Sequence, residues 1–158
     1  MNRLSHIAFI MDGNGRWGKK KNKGRNFGHI NGVKTVKKIV ETSVKLKIPI
    51  LTFYVFSTEN WRRPKSEINF LFRLISSYFE KELNNVILNG IKINILGKIS
   101  RLPSQVKLAL KKVMKLTKNN KKITVNLAIN YGSKDEIVES AKKSKKNLTK
   151  KMIEENLY

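Results

Sequence analysis

The sequence has no cysteine, only three prolines and only two aspartates, Asp12 and Asp135. Without cysteine there is no disulfide framework and no thiolate chemistry. Acidic residues are scarce overall: 11 Asp and Glu stand against 34 Lys and Arg, a net charge of +23. No two aspartates are adjacent, so aspartate-rich pairs are excluded. No apolar run reaches the ~18 residues of a membrane-crossing helix. The opening Met1-Asn2-Arg3-Leu4-Ser5 passes straight into strand-like sequence with no signal-peptide pattern. Together with the missing cysteines, this predicts a cytoplasmic protein.

What remains is one domain's worth of ordinary globular composition. The 158 residues are 40% hydrophobic. A chain of this length buries about two-thirds of its unfolded surface and needs no staples. The positive charge favours an anionic partner: nucleic acid, an acidic membrane surface or a phosphorylated substrate. It is mostly Lys, spread along the whole chain among many Asn and Ile. AT-rich coding alone can produce that bias, so the charge by itself is not read as a sign of function. There is no zinc-ligand spacing, no aromatic RNA-binding motif and no basic recognition helix, so no specific nucleic-acid partner is expected. A basic nucleic-acid or membrane-surface binder is the rival reading, resting on charge alone.

Strands and helices alternate. His6 to Met11 is an apolar run that reads as a buried strand. It breaks at Asp12-Gly13-Asn14-Gly15-Arg16-Trp17, where two glycines force a turn. Gly18 to His29 is polar and basic and reads as a long loop, functional or mobile. Helical spacing runs over 30–47 and stops before Pro49. Pro49 to Phe56 is β-branched and aromatic, as in a central strand buried on both faces. A second polar loop, 57–64, follows it. The pattern then gives a helix over 66–89 ended by Gly90, a strand over 91–96 and a helix from Pro103 to about 118 with Val106, Leu110, Val113 and Leu116 inward. A strand over 123–130 follows, then a helix from Ser133 to about 143 with Ser133 and Glu136 as its capping box. Lys142 to Lys151 is read as a solvated join before a last short helix over 149–158. This is an α/β protein: a mainly parallel sheet flanked by helices, one domain over 1–158.

Both polar loops lie at carboxyl ends of strands, where ligands sit in such sheets. One offers Asp12, the glycines, Arg16, Arg25 and His29; the other offers Ser57, Glu59, Asn60, Trp61 and Arg63. Guanidinium groups around a Gly-rich turn suit a diphosphate. A single Asp beside them suits Mg2+, which takes few carboxylates and completes its shell with phosphates and water. The helix over 66–89 supplies an apolar wall, so an amphiphile with an anionic head and hydrocarbon tail fits.

The segments 6–17, Arg25-Asn26-Phe27-Gly28-His29 and Tyr54 to Pro64 together resemble the cis-prenyltransferases, and Asn130-Tyr131-Gly132 resembles a further block of that family. The resemblance implies an enzyme that extends an allylic diphosphate such as farnesyl diphosphate with isopentenyl diphosphate, with Mg2+ as cofactor. It implies Asp12 as the Mg2+-associated catalytic carboxylate. It assigns Gly13, Asn14, Gly15, Arg16, Arg25 and His29 to the allylic diphosphate, and Trp17, Ser57, Thr58, Glu59, Trp61 and Arg63 to the substrate site. Asn60 falls where the proton leaving the condensing unit is handled; an amide is not basic, so its part is to position. The absence of paired aspartates agrees with this family and not with trans-prenyltransferases.

The resemblance also implies further sequence. Family members continue into an Arg-Thr-Gly-Gly-Glu strand, the isopentenyl diphosphate site and the homodimer contact. The expectation is therefore an incomplete domain without the family's C-terminal strands: an inactive fragment, or one half of a split enzyme completed by a C-terminal chain. The 158 residues are expected to bind allylic diphosphate weakly and turn over little. Peripheral membrane contact is compatible with a lipid-soluble product.

Overall fold

The computed structural model describes residues 4–143 and 149–158. The readings placed on Met1 to Arg3 and on the centre of the 142–151 join lie outside the described residues. The remaining elements are β1 (His6–Ile10), α1 (Asn14–Lys20), α2 (Gly24–Lys45), β2 (Ile50–Ser57), α3 (Lys65–Leu88), β3 (Ile91–Leu96), α4 (Ser104–Thr117), β4 (Ile123–Tyr131), α5 (Ser133–Lys143) and α6 (Lys150–Glu155). Short 3-10 helices occupy Thr58–Arg62 and Ile99–Arg101.

The four strands form one parallel sheet in the order β1-β2-β4-β3. One face is apolar. Leu51, Phe53, Ile93, Val125, Leu127 and Ile129 meet Val40 of α2, Ile68, Phe72 and Phe79 of α3, and Leu110 and Val113 of α4. The other face carries a polar row: Thr52, Asn126 and Asn94 are in register on β2, β4 and β3, and His6 of β1, opposite Ile50, reaches Thr52 diagonally. His6 Nε2 lies 2.8 Å from Thr52 Oγ1, Asn126 donates to Thr52 at 3.2 Å, and Asn94 donates to Asn126 at 3.3 Å. Each of these four side chains thus finds a partner on a neighbouring strand.

Four expectations fail. β1 is not a buried strand: it is a sheet edge with alternate side chains in solvent, and Ile10 is 82% exposed. An apolar run does not distinguish edge from centre. The stretch from Gly18 to His29 is not a long loop, because α1 and the first turns of α2 occupy most of it. Glycine disfavours helix by propensity, but here it permits two helices to touch. A Cβ on Gly28 would strike the carbonyl of Asn14, and one on Gly18 would strike the carbonyl of Gly24. Only bare backbone lets α1 cross α2 this closely. The Ser133–Glu136 capping box also gives way. Ser133 lies inside α5, and the Glu136 carboxylate accepts from the Tyr131 hydroxyl and the Tyr158 backbone N–H, both at 2.6 Å. In α4, Leu116 faces outward at 47% exposure while Val106, Leu110 and Val113 are buried.

Candidate active site

The carboxyl ends of β1 and β2 and the starts of α2 and α3 surround a cavity of about 370 Å3. Its mouth is polar: Asp12, Asn14, His29, Ser57, Asn60 and Arg63 line it. Its interior is apolar, walled by Val33 and Val36 of α2 and by Leu71, Ile75 and Phe79 of α3.

Each mouth residue is placed by local structure. β1 ends at Ile10, and Gly13 at φ +83° turns the chain into α1. That turn returns the Gly13 N–H to Asp12 Oδ1, while Arg16 reaches Asp12 Oδ2 at 3.1 Å. The Gly13 N–H first, and the Arg16 charge second, hold the Asp12 carboxyl below the usual carboxylate range. Asn14 opens α1 with its side chain against Gly32 of α2. After β2, the Ser57 N–H donates to Asn60 Oδ1 at 3.1 Å, which closes the 3-10 turn and fixes the amide at the mouth. A hydrogen bond from the Ser57 hydroxyl lowers the neighbouring Glu59 carboxyl, which stays in solvent.

Beside the mouth sits a buried carboxylate that sequence reasoning missed. Glu67, in the first turn of α3, is only 7% exposed. Arg25 donates to it twice, Nε to Oε2 at 2.9 Å and Nη2 to Oε1 at 3.0 Å. His29 Nε2 lies 3.1 Å and Arg63 Nη1 3.2 Å from Oε1. Burial pushes the Glu67 carboxyl up, but the hydrogen bonds from Arg25 and His29 and the charges of Arg25 and Arg63 outweigh it, so it lies below its ordinary value. An ionised carboxylate only accepts, so His29 carries its proton on Nε2. Burial is also the main reason His29 titrates below its ordinary value. In the sequence, an acid in a helix's first turn reads as an ordinary terminal preference. The available clue was Arg63, only four residues before it and just ahead of the helix start.

The remaining expected residues are dispersed. Gly15 is buried directly under the Arg25 guanidinium. Arg16 is largely exposed and engaged with Asp12. Trp17 stacks on Phe27, ring centroids 5.7 Å apart, at 43% exposure. Thr58 faces Gly132. Trp61 is a core aromatic: its Nε1 donates to Asn130 at 2.7 Å, and its ring meets Phe56 and Phe72.

Among the described residues, no three His, Cys, Asp or Glu side chains gather as a metal site. Asp12 offers one ionised carboxylate at the mouth. That fits a Mg2+ ion completed by phosphate oxygens and water, and does not fit an ion caged by protein alone.

Fold and site together define a parallel α/β protein whose sheet ends open onto a polar mouth above an apolar cleft, the shape of an anionic amphiphile. Residues 10–158 match the family model "Prenyltransf: Putative undecaprenyl diphosphate synthase", and the chain belongs to that family. It is 47% identical over 137 residues to an isoprenyl transferase of Prochlorococcus marinus subsp. pastoris, covering 87% of this chain and 50% of that one. A probable undecaprenyl diphosphate synthase from Campylobacter jejuni superposes with a TM-score of 0.81 at 36% identity, covering 99% of this chain and 70% of that one. Lavandulyl diphosphate synthase from Lavandula x intermedia, solved in complex with dimethylallyl diphosphate, superposes with a TM-score of 0.91 at 28% identity, covering 97% and 70%. The chain thus spans half to seven-tenths of the length of these relatives. No helix among the described residues is long and apolar enough to cross a membrane.

Proposed function

We propose that this chain holds an allylic diphosphate such as farnesyl diphosphate, head at the mouth and tail in the cleft, for transfer of its prenyl group to isopentenyl diphosphate, giving a cis-polyprenyl diphosphate. One observation carries the reading: Asp12, Asn14, His29, Ser57, Asn60 and Arg63 converge on the open end of a cavity that is otherwise apolar. The family membership and the dimethylallyl diphosphate bound by the lavender relative support the same class of ligand.

The chemistry follows from the residues. Breaking the allylic C–O bond builds negative charge on the departing diphosphate. Arg63 presents guanidinium donors there, already oriented by Glu67, and Arg25 adds positive charge beside the mouth from the same carboxylate. Donors fixed in advance stabilise that charge more in the transition state than in the ground state. His29, neutral and held through Nε2, shapes the mouth without adding a mobile proton at neutral pH. Asn60 uses its amide oxygen for Ser57, which leaves its NH2 group to orient the second substrate or a water. Asp12 is the residue that would hold Mg2+, and a bound Mg2+ neutralises diphosphate charge. The apolar wall of Leu71, Ile75 and Phe79 keeps water from the cation-like prenyl carbon.

Calorimetric titration of the purified chain with farnesyl diphosphate and Mg2+ tests the reading. Binding is expected in the wild type, with a loss of at least about tenfold in Arg63→Ala, the size of one charge-assisted hydrogen bond. Farnesyl diphosphate binding no tighter than inorganic pyrophosphate would mean that the cleft takes no tail. Radiolabelled isopentenyl diphosphate incorporation measures transfer separately.

A further inference from the structure

The cleft stops where a polar tie crosses between its two helices. Both α2 and α3 begin near the mouth, at His29 and Glu67, and run away from it. Along α2 the lining ends at Val36, and along α3 at Tyr78 and Phe79. The next residue on α2 is Lys37, and one turn past Tyr78 on α3 is Glu82. Lys37 Nζ meets Glu82 Oε2 at 2.8 Å, and Asn85 Nδ2 donates to that same oxygen at 2.9 Å. Tyr78 forms the wall just inside this pair. Burial first, then the charges of Glu82 and Glu41, push its hydroxyl up to about 12, so it is a neutral phenol at the end of the cleft.

The dimensions make that tie consequential. A cavity of about 370 Å3 is at the small end of small-molecule sites. It takes a short branched tail. A longer tail has to separate α2 from α3 beyond Val36 and Phe79, and the Lys37–Glu82 pair is the ionic link spanning that point. The pair is partly solvated, with side-chain exposures of 41% and 23%. Pairs of that kind are weak, so the tie can resist lengthening without forbidding it.

We propose that the Lys37–Glu82 ion pair, backed by Tyr78, sets the length of the apolar tail the cleft accepts. The proposal rests on the reading of the cleft as a tail site and names what limits it. Lys37 and Glu82 are positioning residues: neither lines the cleft, and both act through the spacing of α2 and α3.

The test is calorimetric titration of the full chain with prenyl diphosphates of increasing length: geranyl, farnesyl, geranylgeranyl and hexaprenyl. In the wild type, affinity is expected to climb with tail length to a cut-off and fall beyond it. Lys37→Met and Glu82→Gln are expected to move the cut-off at least one member longer while leaving shorter members unchanged. Lys37→Arg keeps the pair and is expected to keep the wild-type cut-off, a rescue that a general loosening of the fold would not give. Thermal melts confirm that each variant is folded. A wild-type cut-off unmoved in both Lys37→Met and Glu82→Gln overturns the tie and leaves the tail site standing. Affinity that climbs through hexaprenyl with no cut-off also overturns it. A wild type that binds every member no better than inorganic pyrophosphate overturns the tail site itself, and the tie with it.

Discussion

Glu67 gathers two guanidinium groups and an imidazole that sequence places 42, 4 and 38 positions away. Replacing it by the isosteric Gln keeps the shape and removes the charge. Glu67→Gln is expected to lower stability by about 1–3 kcal/mol in urea unfolding, the range for hydrogen bonds to charged groups. It is also expected to weaken farnesyl diphosphate binding, because Arg25 and Arg63 lose their preset orientation. Unchanged stability and affinity would make Glu67 a bystander. His29 adds a pH dependence. Burial holds it below its ordinary 6.5, so the unfolded chain binds this proton more readily than the folded one. The stability it contributes is full above about pH 6.5 and is lost as pH falls through its folded value. Glu67, held below its ordinary 4.5, acts with the same sign further down: its contribution is present above 4.5 and lost as pH falls through its own folded value. The melting midpoint should therefore drop on acidification in two stages, and His29→Gln should flatten the upper one. A His29→Gln profile parallel to wild type from about pH 7 to about pH 5 would contradict this.

At the scale of elements, the crossing of α1 and α2 decides where the mouth residues sit. Gly28→Ala would drive a methyl group into the Asn14 carbonyl, backbone against backbone. The expected cost is about 3 kcal/mol or more, since overpacking against a fixed wall cannot relax by a rotamer change. Gly13→Ala meets open space but sits at φ +83°, and its expected cost is only about 1–2 kcal/mol. Chemical denaturation of the two variants side by side tests that ranking. The same crossing explains what could be read from sequence. β3 was legible to the residue, and α3 and α4 to within about one, because periodicity and flanking Pro or Gly mark such ends directly. α1 was not, because its glycines serve a contact with a distant segment and mimic a loop locally. The mouth was legible where it lies next to a strand end, as at Asp12, Ser57 and Asn60. Glu67 was missed because two of its three partners, Arg25 and His29, come from α2, and the packing of Trp61 was not legible because its partner, Asn130, lies 69 positions on.

Across the whole molecule, a charge of +23 on 158 residues sets up self-repulsion that salt screens. The melting midpoint is expected to rise by several degrees between roughly 20 mM and roughly 300 mM sodium chloride. A midpoint independent of salt would mean that the local ion pairs already neutralise the field. Diphosphate affinity is expected to move the opposite way, falling over the same range. The His6–Thr52–Asn126–Asn94 row has its own consequence at this scale. Sliding any strand by one residue would point an amide, hydroxyl or imidazole into the leucine and phenylalanine layer and strand its neighbours without partners. The row therefore works like the pins of a lock: only one alignment of the strands turns, and chains brought back from denaturant should recover a single set of amide resonances.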